Sequence, residues 1–358
     1  MRNMRLAAAL ALVFILVTTV FLGGCGQKLA VAPQQGGLQG LKKLKVGLVF
    51  DVGGRGDKSF NDAAYEGLEK AEKEFGDKIE IKYLEPSAGG ENRERLLRLM
   101  AQDKYDLIFG VGFIFTDSIA KVAKEFPQIK FGLIDGFVPG LKAENNISCL
   151  LFREHEGSFL VGAAAAMQSK TGKIGFVGGM QSPLIEKFET GYIAGAKYIN
   201  PNIGILSDYI GTASDAFKDP VKGKELTLKQ IKDGADVIYH ASGASGIGVL
   251  EAAASQQKFV IGVDSDQSLP AKEDQRSFVL TSMLKRVDVA VYETIRSLVT
   301  QKFQGGYQEF GVQENGVGYA ENQYNKELIA ANKAKLDELK EKIIMGEIKV
   351  PTSKEDLK

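Results

Sequence analysis

The sequence predicts an α/β protein folded as two doubly wound parallel-sheet lobes, and three observations carry that expectation. From Lys45 onward, short apolar runs of strand length alternate with amphipathic stretches of helix length, which is the pattern of βα units around parallel sheets. Ten such runs occur, more than one ordinary sheet needs. The chain has 358 residues, 44% of them hydrophobic and 25% charged, enough for two domains with proper cores and unlike a disordered or fibrous protein.

The predicted strands cover 46–50, 79–84, 106–112, 130–135, 147–152, 173–178, 203–211, 235–241, 258–264 and 277–283. Helices are expected at 59–74, 91–103, 116–126, 288–302 and 326–345, the last with Ile329, Leu336, Leu339 and Ile343 on one packing stripe. Five or six strands per lobe divide the chain near residue 153 and again after Asp264. One lobe is then 44–152 plus about 267–305, the other 153–266 plus about 306–358.

Ahead of these units, Arg2 and Arg5 precede an apolar run from Leu6 to Leu22, and Gly23-Gly24 directly precede Cys25. Charge, apolar stretch and small residues are the parts of a secretory signal. About 17 residues is also the lower limit for a spanning helix, but the small pair before a lone cysteine resembles a bacterial lipobox. That resemblance implies cleavage after residue 24, lipid on Cys25 and an extracytoplasmic, membrane-anchored protein. Residues 25–43, rich in Gly and Gln, read as a tether.

Lys plus Arg equal Asp plus Glu at 45 each, with no long block of one sign, which argues against nucleic acid as a partner. Cys25, Cys149, His155 and His240 lack metal-ligand spacing, so no metal or cofactor is expected. No GxSxG elbow occurs. His155, in Arg-Glu-His-Glu, reads as a solvated or hinge residue, His240 as core, and Cys149 as a small buried hydrophobe.

Ligands of open parallel sheets bind beyond the carboxyl ends of the strands, where Asp51, Asp135 and Asp264 fall. Any one of them could cap a helix or make a turn; three on one edge point to a site. Residues 53–62 form a glycine-rich loop entering a helix, with Ser59 and Asp62 as a capping pair and Phe60 and Asn61 able to face a cleft. No lysine follows in the manner of a P-loop. Gly243, Gly246 and Gly248 are spaced GxxGxG, a weak dinucleotide signal, though such glycines let backbone N–H groups approach a guest.

The blocks VGLVFDVGGRGDKSFNDAAYEGL, FREHEGSFLVGAAAA, TGKIGFVGGMQSPLIEKFETGYIAGAK, HASGASGIGVLEAA, VIGVDSDQ and VLTSMLKRVDVAV run in order between Lys45 and Pro351. Together they resemble the basic membrane protein family, whose better understood members are purine nucleoside receptor lipoproteins feeding ABC transporters. The resemblance implies a type I periplasmic-binding-protein fold with two lobes, hinge strands and a ligand buried between them. It implies a non-enzymatic receptor with a purine nucleoside and an ABC permease as partners. Carried over by motif, Asn61 and Asp135 would read the base, Phe60 and Phe217 would stack on it, and Asp264 and Lys285 would hold the ribose. Asp51 and Gly243 are secondary candidates, and Arg55 stands where some members contribute an aromatic. A receptor for a sugar or signalling molecule, a nucleoside-hydrolysing enzyme and a surface adhesin are the competing readings; the chain has no Trp, the usual platform for sugars.

Overall fold

The computed structural model describes residues 42–87 and 89–357, so the signal, Cys25 and most of the tether lie outside the described residues. Two six-stranded sheets organise the rest. In chain order the strands are β1 (Leu44–Val49), β2 (Ile79–Leu84), β3 (Leu107–Val111), β4 (Lys130–Ile134), β5 (Ile147–Phe152), β6 (Lys173–Met180), β7 (Gly204–Gly211), β8 (Val237–Ala241), β9 (Phe259–Asp264), β10 (Val279–Lys285), β11 (Gly306–Phe310) and β12 (Val317–Tyr319). The first sheet runs β11-β5-β4-β3-β1-β2 and is parallel throughout. The second runs β12-β10-β9-β8-β6-β7, parallel except that β12 is antiparallel to β10.

Central strands such as LIFGV in β3 and VIYHA in β8 are buried along their whole length, because helices cover both faces of each sheet. That is why they appear in sequence as continuous apolar runs. Helix Glu154–Gln168 lies against helix Pro183–Ile199 at backbone distance: a Cβ on Gly162, Gly191 or Gly195 would overlap the Tyr192, His155 or Phe159 carbonyl. This close approach sets the height of the first turn that carries Glu154 and His155.

The chain crosses between lobes three times: after Phe152, after Lys285, and between β11 and β12. This corrects the expected boundaries. The stretch 267–285 stays in the second lobe, since β10 pairs with β9, and β11 returns to the first sheet beside β5. Helix Val287–Val299 does belong with the first lobe, where Tyr292 stacks on Phe75 at 6.2 Å and donates to Glu74 at 2.6 Å. β11 and β12 escape a reading by apolar runs because they are short edge strands, GYQEF being only partly buried. The expected C-terminal helix is two, Lys326–Ala330 and Lys333–Ile344, although its stripe of Ile329, Leu336, Leu339 and Ile343 is buried as a unit. Among the described residues no helix is long and apolar enough to cross a membrane.

Candidate functional site

The carboxyl edges of both sheets face one cavity, part of it open to solvent. Asp51, Phe60, Asn61, Asp135, Phe217, Gly243, Asp264 and Lys285 all line it. Asp57, Gly112, Phe113, Phe188 and Ser242 line it as well, and sequence reasoning had not singled them out for the site.

The first-lobe wall is built on Asp57. Its Oδ1 accepts the Ser59 and Asp62 N–H groups at 3.0 and 3.1 Å, while Oδ2 accepts the Asn61 N–H at 2.8 Å and Asn61 Nδ2 at 3.0 Å. Asp57 therefore caps helix Phe60–Phe75, and the expected Ser59–Asp62 capping pair does not form. The Ser59 hydroxyl instead donates across the cleft to Asp264 Oδ2 at 2.5 Å. Asn61 Oδ1 accepts the Asp51 N–H at 2.9 Å, so the amide is locked in orientation with one N–H and one lone pair left over. Burial raises the Asp57 carboxyl to about 7. Burial also raises Asp51 to about 6, against the Val52 N–H at 2.7 Å and Arg93 at 3.3 Å.

Lys285 is the hub of the opposite wall. Its ammonium, 1% exposed, lies 2.6 Å from Asp135 Oδ2 in the other lobe and 3.2 Å from Glu154 Oε1 at the first crossing. Burial works to lower its pKa, but Asp135, Glu154 and Asp264 outweigh burial and raise it, so the lysine stays charged. Asp135 is pushed up by burial and pulled back by this ammonium. Its Oδ1 is buried with no hydrogen-bond partner, an acceptor left open at the cavity. Glu154 was missed because one acid at the start of a helix looks like ordinary dipole compensation; its role appears only when residues 131 positions apart in sequence are folded together.

Four phenylalanine rings complete the lining. Phe60 and Phe188 lie 5.1 and 5.4 Å from the Lys285 ammonium. Phe217 rests over Gly179, where a Cβ would overlap its ring, and beside Gly243, which has φ +55°. Arg55 does not line the cavity; its guanidinium lies 3.5 Å from the centre of the Tyr65 ring and is ion-paired to Asp62 at 3.2 Å. Of the three loop glycines only Gly243 meets the cavity. A Cβ on Gly246 or Gly248 would overlap the His240 imidazole or the Pro220 carbonyl, so those two serve packing.

His155, His240 and Cys149 are uncharged at neutral pH. Burial depresses both His155 and His240 to about 4, and it raises the Cys149 thiol. His155 is half-buried and stands at a crossing between the lobes. Among the described residues no cluster of three or more His, Cys, Asp or Glu is placed to hold a metal ion.

Residues 44–354 match the model of the Bmp family, described as PnrA-like ABC transporter substrate-binding proteins. Basic membrane protein A of Borreliella burgdorferi is 36% identical, with 96% of each chain covered. A lipoprotein of Pyrococcus furiosus is 38% identical over 86% of this chain and 75% of its own. Among solved structures, an ABC transporter solute-binding protein of Aeropyrum pernix superposes with a TM-score of 0.76 at 31% identity, covering 87% of this chain and 95% of the other. The two-lobed α/β fold is thus shared with a solute-binding protein of an ABC system, and the chain belongs to the Bmp family of PnrA-like substrate-binding proteins.

Proposed function

We propose that this substrate-binding protein closes around a neutral purine nucleoside and delivers it, from a lipid anchor at Cys25, to an ABC permease. The observation that carries the ligand class is the character of the cavity wall. Asp51, Asp57, Asp135 and Asp264 face it with a single lysine, which disfavours a phosphorylated guest and suits one rich in hydroxyl and N–H donors. Phe60, Phe113, Phe188 and Phe217 add aromatic surface suited to a flat guest. In this reading Phe60 and Phe217 stack on the base while Asn61 and Asp135 meet its edge. Asp264 and Lys285 hold the ribose, with Asp51 and Gly243 completing the walls.

Binding rather than turnover is favoured by the family, whose members are described as substrate-binding proteins. Incubation with inosine distinguishes the two outcomes. Stoichiometric retention of intact inosine supports the receptor; release of free hypoxanthine would replace it with a hydrolase.

A further inference from the structure

Ser242 directly follows β8, fully buried in the cavity wall, and its hydroxyl is 3.2 Å from His240 Nδ1. A serine hydroxyl ordinarily donates or accepts as its guest requires. Here a chain of fixed donors removes the choice. The Val263 N–H, which has one polarity only, meets Gln267 Oε1 at 3.1 Å. Gln267 Nε2 donates to the Lys58 carbonyl of the opposite lobe at 3.1 Å, so neither end of the amide can be reversed. The same Oε1 lies 2.8 Å from His240 Nε2, which must therefore carry the proton. His240 is fully buried, its ring seated where Gly246 has no side chain, and that burial keeps it uncharged at neutral pH. A neutral imidazole protonated on Nε2 has only a lone pair on Nδ1, so the Ser242 hydroxyl donates to it.

We infer that His240 is a positioning residue that holds Ser242 as a hydrogen-bond acceptor toward the cleft, so that the guest group meeting that hydroxyl is an N–H or O–H donor. Resting on the nucleoside reading, this adds a specificity determinant on the second-lobe wall. It also ties that wall to closure, because the chain that sets the polarity ends on Lys58 of the first lobe.

The test has two independent arms. In the whole protein labelled with ¹⁵N-histidine, the neutral Nε2–H tautomer is expected for His240 at pH 7, a signature that a merely space-filling imidazole would not need. The Nδ1–H tautomer, or a charged ring, would overturn the inference. In the second arm Ser242→Ala should bind inosine about 5- to 20-fold more weakly than the parent, the usual cost of one lost hydrogen bond. Affinity equal to the parent would overturn the acceptor role, provided circular dichroism shows the variant folded. Should the parent itself retain no inosine, the nucleoside reading fails, and the tautomer alone then decides this inference.

Discussion

Asp135 and Asp264 occupy the same station in the two lobes, yet they are held by different chemistry. Each stands at the tip of the third strand from the same edge of its sheet, β4 or β9, and each has φ +64°. Each also bonds across the cleft, Asp135 to the Lys285 ammonium and Asp264 to the Ser59 hydroxyl. The first contact is an ion pair buried beside a second carboxylate, Glu154. Its loss would leave unpaired charge in the interior, so fold and site are not separable there. The second is a bond from a neutral hydroxyl, so Asp264 joins fold to site less tightly, although it is the third of the acids that keep Lys285 charged.

The contrast is broken or sharpened most strongly at the lysine. Lys285→Met leaves Asp135 without its cation and Glu154 with only Lys187, 3.8 Å from its Oε2, and should cost about 3–5 kcal/mol in urea denaturation. A cost below about 1 kcal/mol would show that the buried pair is not what joins fold to site. Asp264→Asn, which keeps a residue suited to φ +64°, should unfold nearer the parental midpoint than Lys285→Met and weaken inosine by about 1–3 kcal/mol while leaving hypoxanthine untouched. Equal losses for nucleoside and free base would discard its ribose role. Phe217→Ala should weaken all purine ligands by a similar factor, about 1–3 kcal/mol as for other stacked bases; unchanged affinity would contradict the stacking.

The smallest expected effect is one of pH. His155 and His240 are held at about 4, below the ordinary value of 6.5. The unfolded chain takes protons between those values that the native histidines refuse. Their contribution is therefore full above about pH 6.5 and is lost on acidification toward 4. Asp51 and Asp57, raised to about 6 and about 7, act in the opposite sense: their contribution is full below the ordinary carboxyl value of 3.8 and is lost as pH rises through 6 to 7. His155→Gln isolates one side of this balance. Between pH 7 and pH 5 it should lose about 1–2 kcal/mol less stability than the parent; parallel pH profiles would refute the neutral histidine.

Much of the site was legible because a parallel sheet gathers the carboxyl ends of its strands on one edge. An Asp after VGLVF, another after FGLI and a third at the end of FVIGVD had to come together once the strands were recognised. Phe217 and Lys285 came from family resemblance, and they too line the cavity. What could not be read was partnership over long separations. Lys285 and Asp135 are 150 positions apart, and Ser59 and Asp264 are 205 apart, so no local pattern announces either bond. Ser59 looked like a cap because its immediate neighbours allow one; Asp57 takes that role only because the loop folds back on its own N–H groups. The lobe boundaries slipped for a related reason, since β11 is a half-exposed edge strand whose membership is decided by pairing with β5 rather than by its own residues.

Equilibrium dialysis of the whole protein against inosine and inosine 5′-monophosphate, side by side, tests the central claim most directly. Saturable retention of inosine at one molecule per chain, with the monophosphate left in free exchange, is the predicted result. No retention of inosine, or retention of both to the same extent, would contradict a cleft whose carboxylates select an uncharged nucleoside.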